Sequence, residues 1–174
     1  MPTHAFGPES GTLRVRTGRK GAAAKAGHDL LIEVTRWEAA VEAAEGGAPE
    51  SVMLDVDSTS FRVLEGTGGM QSLDDDDRAN IQQTIDDEVL QRQPITFRST
   101  AVRADDDGRL TVDGELTLNG ATRPLTVDAA LDDGGGLNGR AVVRQSEWGM
   151  TPYSALFGAL KVADEVRVEF DGRL

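Results

Sequence analysis

The chain has 174 residues, no cysteine and a formal net charge of −12, from 30 acidic and 18 basic side chains. The lack of cysteine excludes disulfides, thiolate catalysis and cysteine-bound metals, and the negative charge disfavours nucleic acid and anionic lipid surfaces as partners. No segment approaches the ~20 apolar residues of a membrane-spanning helix, and the first residues lack the features of a secretory signal. We therefore expect a single domain over residues 1–174, located in the cytoplasm without stable membrane insertion.

Alternation of apolar and polar residues, which is typical of strands with one buried face, recurs in eight segments. These are residues 12–16, 28–44, 52–57 with an extension to 63, 94–104, 109–118, 123–131, 137–144 and 164–172. The apolar parity of the second segment changes near Thr35 and Arg36, which indicates a bulge that bends the strand. Short turns rich in Gly, Asn and Asp separate the later segments. The pattern predicts an all-β, eight-stranded antiparallel barrel.

Small residues occupy several inward positions of these strands. They are Ser99, Ala101, Gly114, Ala129, Gly139 and Ala141. A barrel of eight strands is just wide enough either to be filled by side chains or to hold one small ligand. Small inward residues favour a cavity, although they also occur where the walls of a tapering barrel approach each other.

One long helix is predicted between the third and fourth strands, over residues 72–92. The acidic residues 74–77 supply an N-cap and a favourable first turn, and Ile81, Ile85 and Val89 recur at helical spacing. We expect Ile81 and Ile85 to face the interior of the barrel. The helix is inserted into an otherwise all-β chain.

The segment of residues 146–162 concentrates bulky apolar side chains. They are Trp148, Met150, Tyr153, Leu156, Phe157 and Leu160. Thr151 can cap a helix, Pro152 suits its first position, and the apolar residues that follow have helical spacing, so we predict a short helical lid over one end of the barrel. The period alone does not separate a lid that contacts a ligand from a plug that completes the core.

Polar candidates lie at the same end. His28 begins the second strand on its inward phase, where it either contacts a ligand or bridges a loop and a strand, and Lys25 belongs to a basic segment that could attract an anionic head group. The same basic residues could equally form a solvated loop. With two histidines and no cysteine, we expect no metal site.

Four segments, in chain order, resemble the YceI-like family of lipocalin-like barrels. They are GHDLLIEVTRW (27–37), PITFRSTAV (94–102), GELTLNGATRPLTVDAAL (114–131) and SEWGM (146–150). The resemblance implies a barrel with a helical insertion whose apolar tunnel binds polyisoprenoid or similar amphiphilic lipids, by binding and not by established catalysis. It places the histidine of the family at His28, the tunnel phenylalanine at Phe97 and the aromatic-Gly segment at Trp148 and Gly149.

We therefore expect a ligand-binding protein without a cofactor, more readily than an enzyme. It would bind a hydrophobic small molecule, such as an isoprenoid quinone or another lipid, for sequestration, carriage or stress protection. The expected ligand-binding residues are His28, Ile81, Ile85, Phe97, Trp148, Met150, Tyr153, Leu156, Phe157 and Leu160, with Lys25 and His28 at a head group. One alternative is a cyclase or isomerase that uses His28 or Tyr153 as acid or base. Another is a filled barrel with a structural or protein-interaction role, and an exposed wall strand would suit a homodimer.

Overall fold

The computed structural model describes residues 3–20, 29–45, 48–67, 74–105, 107–150, 152, 154–155 and 160–173. The strands are β1 (Thr3–Phe6), β2 (Gly11–Arg16), β3 (Arg19–Lys20), β4 (Asp29–Val34), β5 (Trp37–Ala43), β6 (Pro49–Val56), β7 (Phe61–Thr67), β8 (Ile95–Ala104), β9 (Arg109–Leu118), β10 (Ala121–Leu131), β11 (Gly136–Arg144), β12 (Ser154–Ala155), β13 (Leu160–Val162) and β14 (Glu165–Arg173). The helical elements are α1 (Asp75–Thr84), a π-helical turn (Ile85–Val89) and a 3₁₀-helical turn (Gln145–Trp148). The helices in these ranges lack the length and the apolar character that a membrane-spanning helix requires.

The main sheet is a curled antiparallel sheet in the order β1-β5-β6-β8-β9-β10-β11-β14-β2-β4-β7. It confirms the predicted antiparallel barrel with one inserted helix, but it has eleven strands and not eight. Two of the three additional strands arise because bends divide two predicted strands, into β4 with β5 and β6 with β7. The third is β1, which pairs with β5 and was not predicted.

The two divided strands form one bent ribbon, since β4 pairs with β7 and β5 pairs with β6. Pairing continues through the bend, where the Thr35 amide donates to the Ser60 carbonyl at 2.9 Å and the Asp57 amide to the Arg36 carbonyl at 3.1 Å. The fully buried Ser60 hydroxyl donates to the Asp57 carbonyl at 2.7 Å. The predicted bend near Thr35 and Arg36 is thus confirmed. Because β4 also pairs with β2 and β6 with β8, the ribbon joins the two sides of the sheet.

A bulge changes the predicted face of one residue in β8. The register shifts between Ser99 and Ala101, so that Ser99 lies opposite Gly114 whereas Ala101 lies opposite the outward Asp113. Ala101 is exposed, contrary to the prediction, and Val102 takes the inward position. Strict alternation could not reveal the extra residue, because a bulge is set by the partner strand and not by the local pattern.

The predicted helix is confirmed, with α1 and the π-helical turn covering residues 75–89. Asp74 is the N-cap: its carboxylate accepts from the Asp77 amide at 2.8 Å, and the Asp77 carboxylate accepts from the Asp74 amide at 3.1 Å. This reciprocal pair satisfies two amides that a helix leaves without partners. The Gln82 side-chain oxygen accepts from the Val63 amide at 3.0 Å, which fixes the helix against the edge of β7.

The prediction of a helical lid is wrong for the described part of the segment, where residues 154–155 and 160–162 are strands. They form a three-stranded sheet in the order β12-β13-β3, and the Ala163 amide donates to the Gly18 carbonyl at 3.0 Å. Residues 151, 153 and 156–159 lie outside the described residues. These strands form because the backbone of residues 161–162 pairs with residues 19–20, which are distant in sequence. Periodicity along the chain cannot reveal such a partner.

Candidate ligand-binding cavity

A cavity of about 620 Å³ lies inside the curled sheet, bounded by the inward faces of the strands and by α1. Its lining is apolar apart from a few positions. The polar lining residues are Thr17, Asn80, Thr84, Asn138, Arg140 and Gln145. Arg140 is the one charged residue in the described lining, and its side chain is exposed on the outer face because Gly139 and Ala141 take the inward positions on either side. Because this cavity occupies the interior, the hypothesis of a barrel filled by its own side chains is wrong.

The free space lies against β10, β11 and β14, which we call the hollow sector. Inward side chains of this sector remain only partly buried although they point into the barrel. They are Leu125, Val127, Ala129, Gly139, Ala141, Val166, Val168 and Phe170. A Cβ atom added to Gly139 would meet nothing closer than Val127 Cγ1 at 3.6 Å. Small side chains on these strands leave volume that no neighbouring strand fills.

The adjoining wall, formed by β8, β9 and the 3₁₀-helical turn, is the packed sector. A Cβ atom on Gly114 would lie 2.5 Å from Phe97 Cζ and from the Arg98 carbonyl oxygen, so the Phe97 ring already occupies that space. Trp148 is 1% exposed, and its Nε1 donates to the Leu116 carbonyl at 2.8 Å. Here a small inward residue accommodates a large neighbour, so the space beside Gly114 is filled by the Phe97 ring.

Aromatic side chains wall the end of the cavity that lies toward the turn between β10 and β11. Phe170 makes edge-to-face contacts with Phe6 and with Trp37, each with ring centroids 5.6 Å apart. Phe6 and Phe170 line the cavity, whereas Trp37 packs behind them and is 4% exposed. Such contacts hold rings in fixed positions, so this end is rigid.

The helix supplies another part of the wall through Ile81 and Ile85. The π-helical turn then brings two successive residues, Val89 and Leu90, to the lining, and the Leu90 amide donates to the Ile85 carbonyl at 2.8 Å. A π-helical turn holds one more residue than an α-helical turn, which widens the apolar face. The Thr84 hydroxyl donates to the Asn80 carbonyl at 3.0 Å within the helix.

The predicted site residues divide into three groups. Four of them line the cavity, namely Ile81, Ile85, Phe97 and Met150. Trp148 instead packs into the wall. The remaining candidates lie outside the described residues or, for Leu160, in a strand whose side chain is not described; they are Lys25, His28, Tyr153, Leu156, Phe157 and Leu160. Their roles stay predictions.

Two polar residues that sequence reasoning missed lie at the rim where β2 and β11 end. Gln145 is 6% exposed, and its Nε2 donates to the Ala163 carbonyl at 3.2 Å. Thr17 Oγ1 accepts from the Leu30 amide at 3.1 Å. A signal was present, because Thr17 and Gln145 continue the inward parity of Val15 and Val143 beyond the last residue of each strand.

The cavity wall carries no inward charge among the residues that the structure describes. In the same ranges, no group of three or more His, Asp or Glu residues could hold a metal ion. At the bend, hydrogen bonds from the Thr59 hydroxyl and amide lower the pKa of the Asp57 carboxyl; burial opposes this effect and Arg36 assists it. The site can therefore accommodate an apolar ligand, and no described group offers acid-base chemistry inside it.

Comparisons with known proteins agree with this architecture. A sequence model of the YceI-like domain matches residues 18–174. The structure is similar to that of BcnA from Burkholderia cenocepacia, with a TM-score of 0.62 and 18% identity over 91% of this chain and 94% of that chain. It is also similar to a YceI protein from Campylobacter jejuni, with a TM-score of 0.60 and 12% identity over 82% of each chain.

A mutant of the Campylobacter jejuni protein, crystallised with monobromobimane as a guest, gives a TM-score of 0.63 and 10% identity over 82% of each chain. At these identities the solved structures establish the fold alone. No curated protein sequence matches this chain. The family assignment depends on the sequence model, which covers nearly the whole chain and agrees with the curled sheet and its inserted helix. The chain belongs to the YceI-like family.

Proposed function

We propose that the protein binds the apolar chain of an isoprenoid-like lipid, such as an isoprenoid quinone, or of another amphiphile, and sequesters or carries it. The observation that carries the proposal is the cavity of about 620 Å³, whose described lining contains no inward charge. Its volume lies within the range typical of small-molecule sites. The family resemblance supports the same class of ligand.

The free energy of apolar burial is large enough to support measurable lipid binding. Each buried methylene group contributes about 0.8 kcal/mol, so a chain of about fifteen carbons gains roughly 12 kcal/mol before ordering costs. Association and immobilisation cost several kcal/mol, which leaves an affinity in about the micromolar range or better. A charged ligand would instead lose its hydration without gaining a partner in the described wall.

Extraction of the purified protein with organic solvent, followed by mass spectrometry, tests the proposal. We expect one or a few lipids with long apolar chains, near equimolar with protein. Delipidated protein should then bind added isoprenoid lipids with a measurable dissociation constant. An empty protein that also rejects isoprenoid and straight-chain lipids would overturn the proposal.

Two adjacent residues offer a matched pair of variants. Ala141 faces the cavity from β11, whereas Val142 points outward and is 50% exposed. Ala141→Phe places a ring in the free volume and should weaken lipid binding at least tenfold. Val142→Phe adds a similar ring to the outer face and should leave binding unchanged. Equal affinity of the two variants would contradict a site inside the barrel.

The hypothesis of a cyclase or isomerase stays a prediction, because His28 and Tyr153 lie outside the described residues. Turnover assays on isoprenoid substrates with His28→Ala and Tyr153→Phe would test it.

The cytoplasmic location and the homodimer also stay predictions. Cell fractionation and light scattering, respectively, would test them.

A further inference from the structure

One part of the cavity wall lacks the backbone pairing that holds most of the lining. Most lining residues lie on strands of the main sheet, where ladders of hydrogen bonds fix them. The helical segment, residues 75–90, supplies another side of the wall. Its lining residues are Asn80, Ile81, Thr84, Ile85, Val89 and Leu90. Among the described residues, a single hydrogen bond joins this segment to a strand, from the Val63 amide to Gln82 Oε1 at 3.0 Å.

Few side chains of the helical segment are buried. Ile85 and Leu90 are buried, whereas α1 contains no buried residue. The apolar side chains of the segment face the open volume of the cavity and not a packed core. Segments with little buried apolar surface open at a free-energy cost well below that of global unfolding. The helical segment is therefore more easily displaced than the strands of the wall.

The link from the helical segment to β8 is strained. Gln91 and Arg92 have φ angles of 51° and 55°, in the left-handed region that favours glycine. The Arg92 amide donates to the Asp86 carbonyl at 3.0 Å, and the Arg92 guanidinium contacts the Asp87 carboxylate at 2.9 Å. These contacts hold the link in place although its backbone conformation is unfavourable. A movement that releases both φ angles recovers part of the free energy.

The charges of the segment also oppose its closed position. Asp86, Asp87 and Glu88 lie in the π-helical turn, at the C-terminal end of the segment, where the helix dipole disfavours negative charge. Asp86 Oδ1 is buried and has no hydrogen-bond partner in the described part of the chain. A buried carboxylate oxygen without a donor is costly, and movement of the segment would return it to water.

From these observations we propose that the helical segment is the gate of the cavity: it moves away from β7, about the link at Gln91 and Arg92, to admit and release the apolar ligand. A bound chain packs against the apolar residues of the segment and thereby favours the closed position. The strand ladders and the aromatic end of the cavity stay in place during this movement. The inference rests on the proposed function and specifies the route by which the ligand enters and leaves.

Hydrogen exchange of the delipidated protein tests the movement without a ligand. We expect the amides of residues 79–90 to have protection factors at least about tenfold lower than those of β9, because the segment opens locally and β9 opens only on global unfolding. Diphenylhexatriene, a neutral apolar rod that fluoresces in apolar surroundings, should slow exchange in the segment when it saturates the cavity. Equal protection of the two regions in the delipidated protein would overturn the proposal.

Two substitutions should shift the gate in opposite directions. Gln91→Gly removes the cost of a left-handed φ angle and keeps the ion pair of Arg92, so it should slow association and dissociation of diphenylhexatriene alike, by roughly threefold. Gln82→Leu removes the bond to the Val63 amide and should accelerate both rates about fivefold. Because both states of ligation are mostly closed, the dissociation constant should change by less than about twofold. Stopped-flow fluorescence measures both rates.

Asn119→Gly is the matched control. Asn119 has a φ angle of 53° in the turn between β9 and β10, so the substitution relieves the same kind of strain outside the helical segment. It also removes the bond from Asn119 Nδ2 to the Trp148 carbonyl, which can change stability, but both rates should stay within about twofold of wild type. Rates that change as much as in Gln91→Gly would contradict the gate.

The gate and the proposed function can fail separately. If wild-type protein binds neither diphenylhexatriene nor isoprenoid lipids, the proposed function fails, and the gate fails with it. If these ligands bind but both rates stay at wild-type values in Gln91→Gly and Gln82→Leu, the cavity binds a ligand and the gate alone fails. If one variant does not fold, the other decides, since each has its own expected direction.

Discussion

The packed and hollow sectors have the same alternating strand pattern, but their inward residues differ in how closely they are packed. Strands β9 and β11 both alternate inward and outward residues in an antiparallel sheet. On β9 the inward residues, Leu110, Val112, Gly114, Leu116 and Leu118, are all buried. On β11 the inward Gly139 and Ala141 remain partly accessible to the cavity. Alternation determines which face points inward, whereas side-chain volume across the barrel determines whether that face is covered.

The two inward glycines show this difference most directly. Gly114 leaves room that the Phe97 ring fills, whereas the space beside Gly139 stays open to the cavity. Since interiors are packed to the density of organic crystals, filled space rigidifies the wall and open space is available to a ligand. The packed sector thus serves stability, and the free volume lies beside the hollow sector.

The largest expected effect is in the packed sector. Trp148→Ala removes a side chain that is 1% exposed and also leaves the Leu116 carbonyl without its donor. We expect a loss of about 4 kcal/mol in the free energy of unfolding, measured by urea denaturation. Val142→Ala, on the exposed face of β11, should change it by less than about 0.5 kcal/mol. A loss below about 1 kcal/mol for Trp148→Ala would break the distinction between the sectors.

Substitution of the two inward glycines should change the free energy of unfolding by intermediate amounts, with opposite signs at the two positions. Gly114→Ala places a methyl group 2.5 Å from Phe97 Cζ and from a backbone oxygen, so we expect a loss of about 2 kcal/mol. Gly139→Ala meets nothing closer than 3.6 Å and should stabilise by about 0.5 kcal/mol, since glycine is unfavourable in strands. Thermal and urea denaturation of both variants measure the difference. Equal losses would mean that the hollow sector is no more open than the packed one.

The smallest effect concerns the bend of the ribbon, which belongs to neither sector. The folded pKa of Asp57 lies below the ordinary value of 3.8, so its stabilisation is present above that value and is lost as pH falls through the folded pKa. Asp57→Asn should therefore be less stable than wild type at pH 6, with the gap closing below pH ~3.8. Urea denaturation at pH 6 and pH 3 tests this. Thr59→Val removes the hydroxyl that donates to the Asp57 carboxylate, so it should reduce the pH dependence of stability. If this pH dependence were the same in the variant, Asp57 would not be its source.

Much of the fold follows from local sequence. The alternation in residues 109–118 and 123–131 fixed the inward faces of β9 and β10, because each residue along a strand points to the opposite side from its neighbour. The acids at 74–77 located the start of α1, since a carboxylate satisfies free amides there. The change of parity at Thr35 and Arg36 located the bend. Each of these features depends on a few consecutive residues.

Other features were decided by parts of the chain that are distant in sequence. The bulge that turns Ala101 outward depends on the register with β9, and the strands at 154–155 and 160–162 depend on pairing with residues 19–20. Sequence alone could not distinguish the small inward residues, since Gly114 faces the Phe97 ring whereas Gly139 lines the cavity without a close contact. Sequence alone determined a barrel with one apolar inner face. Tertiary structure decided where that face stays uncovered, because packing depends on the volume of side chains that meet only after the sheet has curled.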